Sequence, residues 1–126
     1  MTMVPAVEVA VMYRDADNYK EGTTLRFAGE LTDELKARLK ATLEDGEHYI
    51  PTQVGHEHLG HRMASWPDQQ SDHVFHELDV EEIEQVTALE DRIYDGSFED
   101  FVKTMEAAKA AGWDVSAAMA ELGLEE

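Results

Sequence analysis

The stretch that decides the fold is Ala6-Val7-Glu8-Val9-Ala10-Val11-Met12-Tyr13-Arg14. Its alternate residues are β-branched or aromatic, namely Val7, Val9, Val11 and Tyr13. Successive side chains of a β-strand point to opposite faces, so this alternation predicts a strand over residues 6–14 with one face covered. Turn-forming residues follow, and residues 23–28 resume an extended pattern. Together the two stretches predict a hairpin with a long loop.

Helical spacing appears further along the chain. One helix is predicted between Thr32, which can cap its start, and Gly46, which follows its end, because leucines recur there every four residues. Ser97 and Gly112 bracket a second helix in the same way, and residues 113–122 predict a third that forms a C-terminal αα-hairpin with it. Residues 80–89 fit either a helix or an edge strand, and we expect a helix.

The segment from residue 48 to residue 72 follows neither period and contains two prolines and two glycines. It predicts a long irregular connection with a short strand at Tyr49–Ile50, and residues 73–78 predict a strand that returns to the sheet. A loop of this length in a compact domain is usually functional or mobile. The whole pattern predicts one α+β domain over residues 1–126, in which three or four mainly antiparallel strands pack with three or four helices.

Charge and cysteine content narrow the classes of function. The chain has 126 residues, with 28 Asp and Glu against 10 Lys and Arg, a net charge of −18, and no cysteine. Such a charge repels nucleic-acid phosphates and anionic lipids, so we expect no direct binding to nucleic acid and no membrane association. We find neither a signal peptide nor an apolar stretch near the roughly 18 residues that span a bilayer. The absence of cysteine favours a reducing cytoplasm.

The acidic residues permit two interpretations. Residues 79–126 carry fourteen acidic and three basic side chains, so the C-terminal third is the most anionic surface. One interpretation is a solvated, solubilising face, and the other is a docking surface for a basic protein. A helix-turn-helix that reads DNA is excluded for residues 97–126, because their only bases are Lys103 and Lys109.

All six histidines fall within residues 48–76, which is the most informative feature of the sequence. Histidine is the commonest metal ligand and titrates near neutral pH. A mixed site would take imidazoles from the loop and from the following strand, with Glu57, Asp72 or Glu77 as a carboxylate partner. The candidate ligands of zinc or nickel are His56, His58, His61, His73 and His76.

Three interpretations of these histidines stay open: local hydrogen bonding in a loop, a divalent-metal site, and metal-free acid–base catalysis. The metalloprotease pattern His-Glu-x-x-His fails, because Gly60 stands where the second histidine belongs. No Cys/His finger, glycine-rich phosphate loop or nucleophile elbow can be written from the chain.

A second group of interest ends the first predicted strand. It combines Arg14, Tyr19 and Lys20 within a short stretch of an otherwise acidic chain. The group is either a turn whose Asp and Asn side chains bind their own backbone, or a pocket edge or partner-binding loop. Trp66, inside the long loop, is either a lid on the core or an exposed anchor for a partner.

Three stretches together resemble a small bacterial or phage family of uncharacterised proteins. They are Tyr13-Arg14-Asp15 with Asn18-Tyr19-Lys20, then Ile50-Pro51-Thr52-Gln53-Val54-Gly55, then Asp72-His73 with His76-Glu77-Leu78. The resemblance covers the first two-thirds of the chain and implies no activity, cofactor or catalytic residue.

The sequence therefore predicts an acidic cytoplasmic protein that binds or regulates a protein partner, and we favour this over an enzyme. The alternative is a divalent-metal-binding protein or small metal-dependent enzyme that uses the histidines of residues 48–77.

Overall fold

A computed structural model describes residues 2–124 of the chain. Within that range lie five strands and three α-helices, which confirms the α+β class with one strand more than predicted. The strands are β1 (Met3–Arg14), β2 (Lys20–Ala28), β3 (His48–Tyr49), β4 (His76–Leu78) and β5 (Glu84–Leu89). The helices are α1 (Asp33–Thr42), α2 (Phe98–Ala111) and α3 (Val115–Leu122).

Strand β1 is the centre of an open antiparallel sheet. Along one side it pairs with β2 from Ala6 opposite Ala28 to Arg14 opposite Lys20, as the predicted hairpin requires. Along the other side its first half pairs with β5, and Val11 and Met12 pair with β4. Strand β3 pairs with β4 and forms the outer edge there. Each half of β1 thus has a different neighbour on this side.

The predicted helix over residues 80–89 is wrong. Asp79 does cap a turn, since its side chain accepts from the backbone N–H of Glu81, but this is a 3-10 turn that covers only Val80–Glu82. The chain is extended again from Ile83, and β5 pairs with the first half of β1. Pairing with the otherwise free side of the central strand outweighs the local helical spacing, because tertiary context overrides weak propensity.

The core lies on the face of β1 that the alternation predicted. Val7, Val9 and Tyr13 are fully buried there and pack with α1 and α2. The caps of α1 and α2 are also as predicted, because Thr32 and Ser97 each accept a backbone N–H of the first turn. A second, smaller apolar cluster joins α3 to the segment that follows β3. Helices α2 and α3 form the predicted C-terminal pair.

The segment between β3 and β4 is as irregular as predicted, and it covers the end of the core face. Two 3-10 turns, Pro51–Val54 and Leu59–Arg62, interrupt it. The predicted strand over residues 73–78 is shorter in the structure, since only His76–Leu78 pairs with β1 and β3. The segment brings the rings of His58 and His73 against that of Tyr13.

Candidate functional site

The first part of the site is a hydrogen-bonded network at the end of β1, which we call the Tyr13 network. The hydroxyl of buried Tyr13 donates to Oδ1 of Asp72 over 2.7 Å and accepts the backbone N–H of His73 over 3.1 Å. The other carboxylate oxygen of Asp72 accepts the backbone N–H of Asp68 over 2.7 Å. Burial, with the bond to Asp72, raises the pKa of Tyr13 above its usual value. Every polar atom here has a partner.

His73 completes the Tyr13 network through both ring nitrogens. Its Nε2 lies 2.7 Å from the carbonyl oxygen of Arg14, which can only accept, so Nε2 carries the proton. Its Nδ1 accepts the backbone N–H of Phe75 over 3.1 Å. His73 can therefore ligate a metal only by giving up one of these bonds.

The second part is a group of poorly satisfied side chains, Tyr49, His56, His58 and His76, which we call the histidine pocket. His58 and His76 are each only 1% exposed, and their ring centroids lie 4.9 Å apart. Nδ1 of His58 accepts the backbone N–H of Gly60 over 3.1 Å. Nε2 of His76 accepts that of Leu59 over 3.0 Å.

These bonds fix the protons of the two rings. A backbone N–H can only donate, so the proton of neutral His58 sits on Nε2 and that of His76 on Nδ1. Within the described part of the chain, the N–H of His76 has no acceptor, and that of His58 makes no well-formed hydrogen bond, although the backbone of His73 lies close enough to favour the protonated ring. Burial lowers the pKa of His58 to about 4 and that of His76 to about 3, so both rings are neutral at pH 7.

Tyr49 and His56 extend the pocket towards α2 and β2. The Tyr49 hydroxyl and Nδ1 of His56 are buried and have no hydrogen-bond partner among residues 2–124. The His56 ring stacks on Phe101 with a centroid distance of 5.6 Å, and burial lowers its pKa. Burial likewise raises the pKa of Tyr49. Buried polar groups are normally satisfied by protein or water, so this concentration of exceptions marks a candidate site.

A cavity of about 350 Å³ adjoins the histidine pocket at the edge of β2. Tyr49, His56 and His76 border it on the inner side, and Thr23 and Thr24 of β2 border it on the outer side. Its volume falls in the range of roughly 300–1,000 Å³ that is usual for ligand pockets.

The structure separates the five predicted metal ligands. His56, His58 and His76 lie in the histidine pocket, His73 belongs to the Tyr13 network, and His61 is exposed beside Trp66 with a ring distance of 4.9 Å. No three His, Asp or Glu side chains within residues 2–124 are arranged to hold a metal ion. A metal on Nε2 of His58 would also require its proton to move to Nδ1, where the N–H of Gly60 already points.

The four predicted partner-binding residues are divided in a similar way. Arg14, Tyr19 and Lys20 lie together where β1 turns into β2, and Arg14 is held by Glu77 and Asn18. Trp66 is half-buried on the core side of the sheet and packs against the rings of Tyr13 and His58. A Cβ atom at Gly60 would overlap the Trp66 ring, which indicates tight packing.

The turn between β1 and β2 is held rigidly by Asp15. This buried side chain accepts the backbone N–H groups of Asp17 and Tyr19, and the backbone N–H of Asp15 donates to the carbonyl oxygen of Tyr19. Ala16 further donates to the carbonyl of Ser71 in the long segment. The turn thus presents Tyr19, which is 69% exposed, on a fixed backbone.

Sequence reasoning did not identify Tyr49 as part of the site. The available signal was its place in the short strand predicted next to the histidines. The sequence could also have predicted that His76 points into the core, because residues two apart in a strand share a face and Leu78 is clearly a core residue.

Comparisons with protein-family models, with curated proteins and with solved structures found no match. The resemblance to a small bacterial or phage family therefore stays a prediction. Among residues 2–124, no helix has the length and apolar character needed to cross a membrane.

Proposed function

We propose that this chain is an acidic binding or regulatory protein that recognises a basic protein in the cytoplasm. The observation that carries the proposal is the rigid turn that presents Tyr19 beside Lys20. Exposed tyrosines on fixed backbones are typical anchors of protein interfaces, because little conformational entropy is lost when they bind. A turn needed only to connect two strands would not require this aromatic side chain.

The charge of the chain supports a basic partner. A net charge of −18 attracts basic surfaces, speeds their association and repels nucleic acids and anionic lipids. The absence of cysteine from the chain supports the cytoplasm as the place of action. Binding is favoured over catalysis because His58 and His76 are each only 1% exposed, so little of either ring is open to a substrate in the cavity that His76 borders.

The proposal is tested by capture from a host lysate on the immobilised protein. Tyr19→Ala should weaken retention of a specific partner by about 2 kcal/mol, roughly thirtyfold in Kd. Met3→Ala is the matched control, because Met3 is 57% exposed and lies at the opposite end of β1. The retained partner should elute as salt rises, since charge attraction is screened. A partner held equally well by both variants would place the interface elsewhere.

The second proposal is a zinc or nickel site in the histidine pocket. It is supported by one buried nitrogen in each of His56, His58 and His76 that makes no well-formed hydrogen bond within residues 2–124. The site would require the rings of His58 and His76 to flip or to lose their bonds to backbone N–H groups. Calorimetry at pH 7.5 tests it: one metal per chain, lost in the double variant His58→Asn/His76→Gln, supports the site, and weak non-stoichiometric uptake rejects it.

A further inference from the structure

The outer edge of β2 is paired at one end and free at the other. The backbone N–H of Arg26 donates to the Asp95 carboxylate, and its carbonyl oxygen accepts the Asp95 N–H. The N–H of Ala28 donates to the carbonyl oxygen of Gly96. Both residues therefore direct their backbone polar groups away from β1. In an antiparallel ladder alternate residues point their N–H and C=O groups to the same side. Gly22 and Thr24 therefore also direct these groups away from β1.

Nothing in the described part of the chain pairs with this second half of the edge. Lys20, Gly22 and Thr24 are exposed, and no other backbone segment of residues 2–124 bonds to them on that side. Natural edge strands are usually protected by proline, a bulge or inward-pointing charge. The stretch from Lys20 to Thr24 has no proline and pairs with β1 without a bulge, and its two charges, Lys20 and Glu21, lie at the end beside the turn, so Gly22-Thr23-Thr24 carries no such protection.

The cavity beside the edge adds a second, independent observation. Thr23 and Leu25 point to the core face, since they pair with Val11 and Val9, and both border the cavity. An extended chain lying along β2 would direct every second side chain to that face. Those side chains would enter a space of about 350 Å³. A main-chain ladder with pockets for alternate side chains is how strand-adding domains bind their ligands.

The charges favour a basic segment over a second copy of this chain. Glu57 and Asp95 flank the cavity with Arg62, and the edge itself carries Lys20 and Glu21. Acidic groups therefore outnumber basic ones here by three to two, and the chain as a whole carries −18. Two copies that met edge to edge would bring the same excess of negative charge together. A basic segment gains attraction where a second copy meets repulsion.

We infer that the edge of β2 from Lys20 to Thr24 binds an extended, basic segment of a partner protein as an added strand, with alternate side chains in the adjoining cavity. The inference rests on the proposed protein-binding function and names its mode. The added strand ends where Asp95 already occupies the edge at Arg26. Its other end lies beside Tyr19, so the turn and the edge form one continuous surface.

The direct test is amide hydrogen exchange of the wild-type protein with a synthetic peptide, Arg-Thr-Val-Thr-Val-Thr-Arg, blocked at both ends. Saturating peptide should slow exchange at Gly22 and Thr24 by about tenfold or more, while amides on the β5 side of the sheet keep their rates. The acidic twin, Glu-Thr-Val-Thr-Val-Thr-Glu, should bind at least about tenfold more weakly. Unchanged exchange at Gly22 and Thr24 overturns the inference.

A variant pair tests the ladder itself. Thr24→Pro removes an outward N–H that no ladder bond to β1 uses, and it should weaken peptide binding by about tenfold. Thr24→Val keeps the N–H and should bind as the wild type does. Equal binding by the two folded variants overturns the inference, and the exchange measurement decides the matter if Thr24→Pro does not fold.

The remaining outcomes separate this inference from the proposed function. If a native partner binds less well to Tyr19→Ala but equally well to Thr24→Pro, the proposed binding function is supported and the added-strand inference is rejected. If the basic peptide protects Gly22 and Thr24 but no native partner depends on Tyr19, strand addition at the β2 edge is supported and the proposed Tyr19-dependent function is rejected. Protection of Gly22 and Thr24 without peptide that disappears on dilution assigns the edge to a second copy instead, and overturns the inference.

Discussion

The Tyr13 network and the histidine pocket lie side by side and differ in how their polar atoms are satisfied. The ring of Tyr13 lies 4.5 Å from that of His58 and 5.0 Å from that of His73, so it touches both groups. In the network each hydroxyl, carboxylate and imidazole has its partners. In the pocket, the hydroxyl of Tyr49 and one nitrogen in each of three histidines make no well-formed hydrogen bond with any part of residues 2–124.

This difference separates structure from function. A satisfied buried network fixes one geometry, and here it ties the long segment to the end of β1. An unsatisfied buried donor costs about 1–3 kcal/mol, so a cluster of them lowers stability without a structural return. The Tyr13 network therefore stabilises the fold. The histidine pocket, by contrast, keeps buried polar groups that lower the free energy of unfolding.

The largest expected effect comes from acidifying the histidine pocket. His58 and His76 are neutral in the fold, with pKa values of about 4 and about 3, whereas an unfolded chain takes up these protons near pH 6.5. The unfolded state thus binds more protons as pH falls below 6.5, and stability is lost. Between pH 7 and pH 5 the loss should be about 2 kcal/mol for each histidine, measured by chemical denaturation.

The double variant His58→Asn/His76→Gln is the matched control. Each replacement keeps an acceptor where Gly60 or Leu59 donates, but neither titrates. Its stability should change much less over the same pH range. A wild-type stability that is flat from pH 7 to pH 5 would mean that the two rings are not neutral and buried.

The next largest effect on stability comes from removing a hydrogen-bond acceptor of the Tyr13 network. Asp72→Ala removes the acceptor of both the Tyr13 hydroxyl and the Asp68 N–H, so it should cost about 3 kcal/mol of unfolding free energy. Asp17→Ala, at an exposed position of the nearby turn, should change stability by less than about 0.5 kcal/mol. Similar losses of stability in both variants would mean that the Tyr13 network does not contribute more to stability than an exposed turn residue.

The smallest effect comes from one substitution made in both regions. Tyr13→Phe deletes a bonded hydroxyl and leaves Asp72 short of a donor, so stability should fall by about 1–2 kcal/mol. Tyr49→Phe deletes a hydroxyl without a partner, so stability should stay level or rise by up to about 1 kcal/mol. The two variants are compared by thermal and urea unfolding. A change in stability of the same sign and size in both would contradict the proposed difference between the network and the pocket.

Local patterns made much of the fold predictable. The alternation of Val7, Val9 and Val11, and the caps Thr32 and Ser97, act over a few residues and were confirmed. Residues 80–89 were mispredicted because their pairing partner, the first half of β1, is remote in sequence. Periodicity carries no information about such a partner.

The candidate site was predictable in part. The clustering of the histidines pointed to the correct segment, but whether each nitrogen donates or accepts depends on which backbone N–H it meets. The bond from Leu59 to His76 and that from Tyr13 to Asp72 both join residues far apart in the chain. Only the folded arrangement therefore divides the histidines into satisfied and unsatisfied sets.

The place of β1 at the centre of the sheet has a consequence for synthesis of the chain. Its hairpin with β2 can form early, but its other side pairs with β4 and β5, which emerge from the ribosome only after the whole irregular segment. At about 5–20 residues per second, that delay lasts several seconds. During it α2 does not yet cover Val7 and Val9, and one side of β1 is an open edge, so the unfinished chain is more exposed to aggregation than the folded protein.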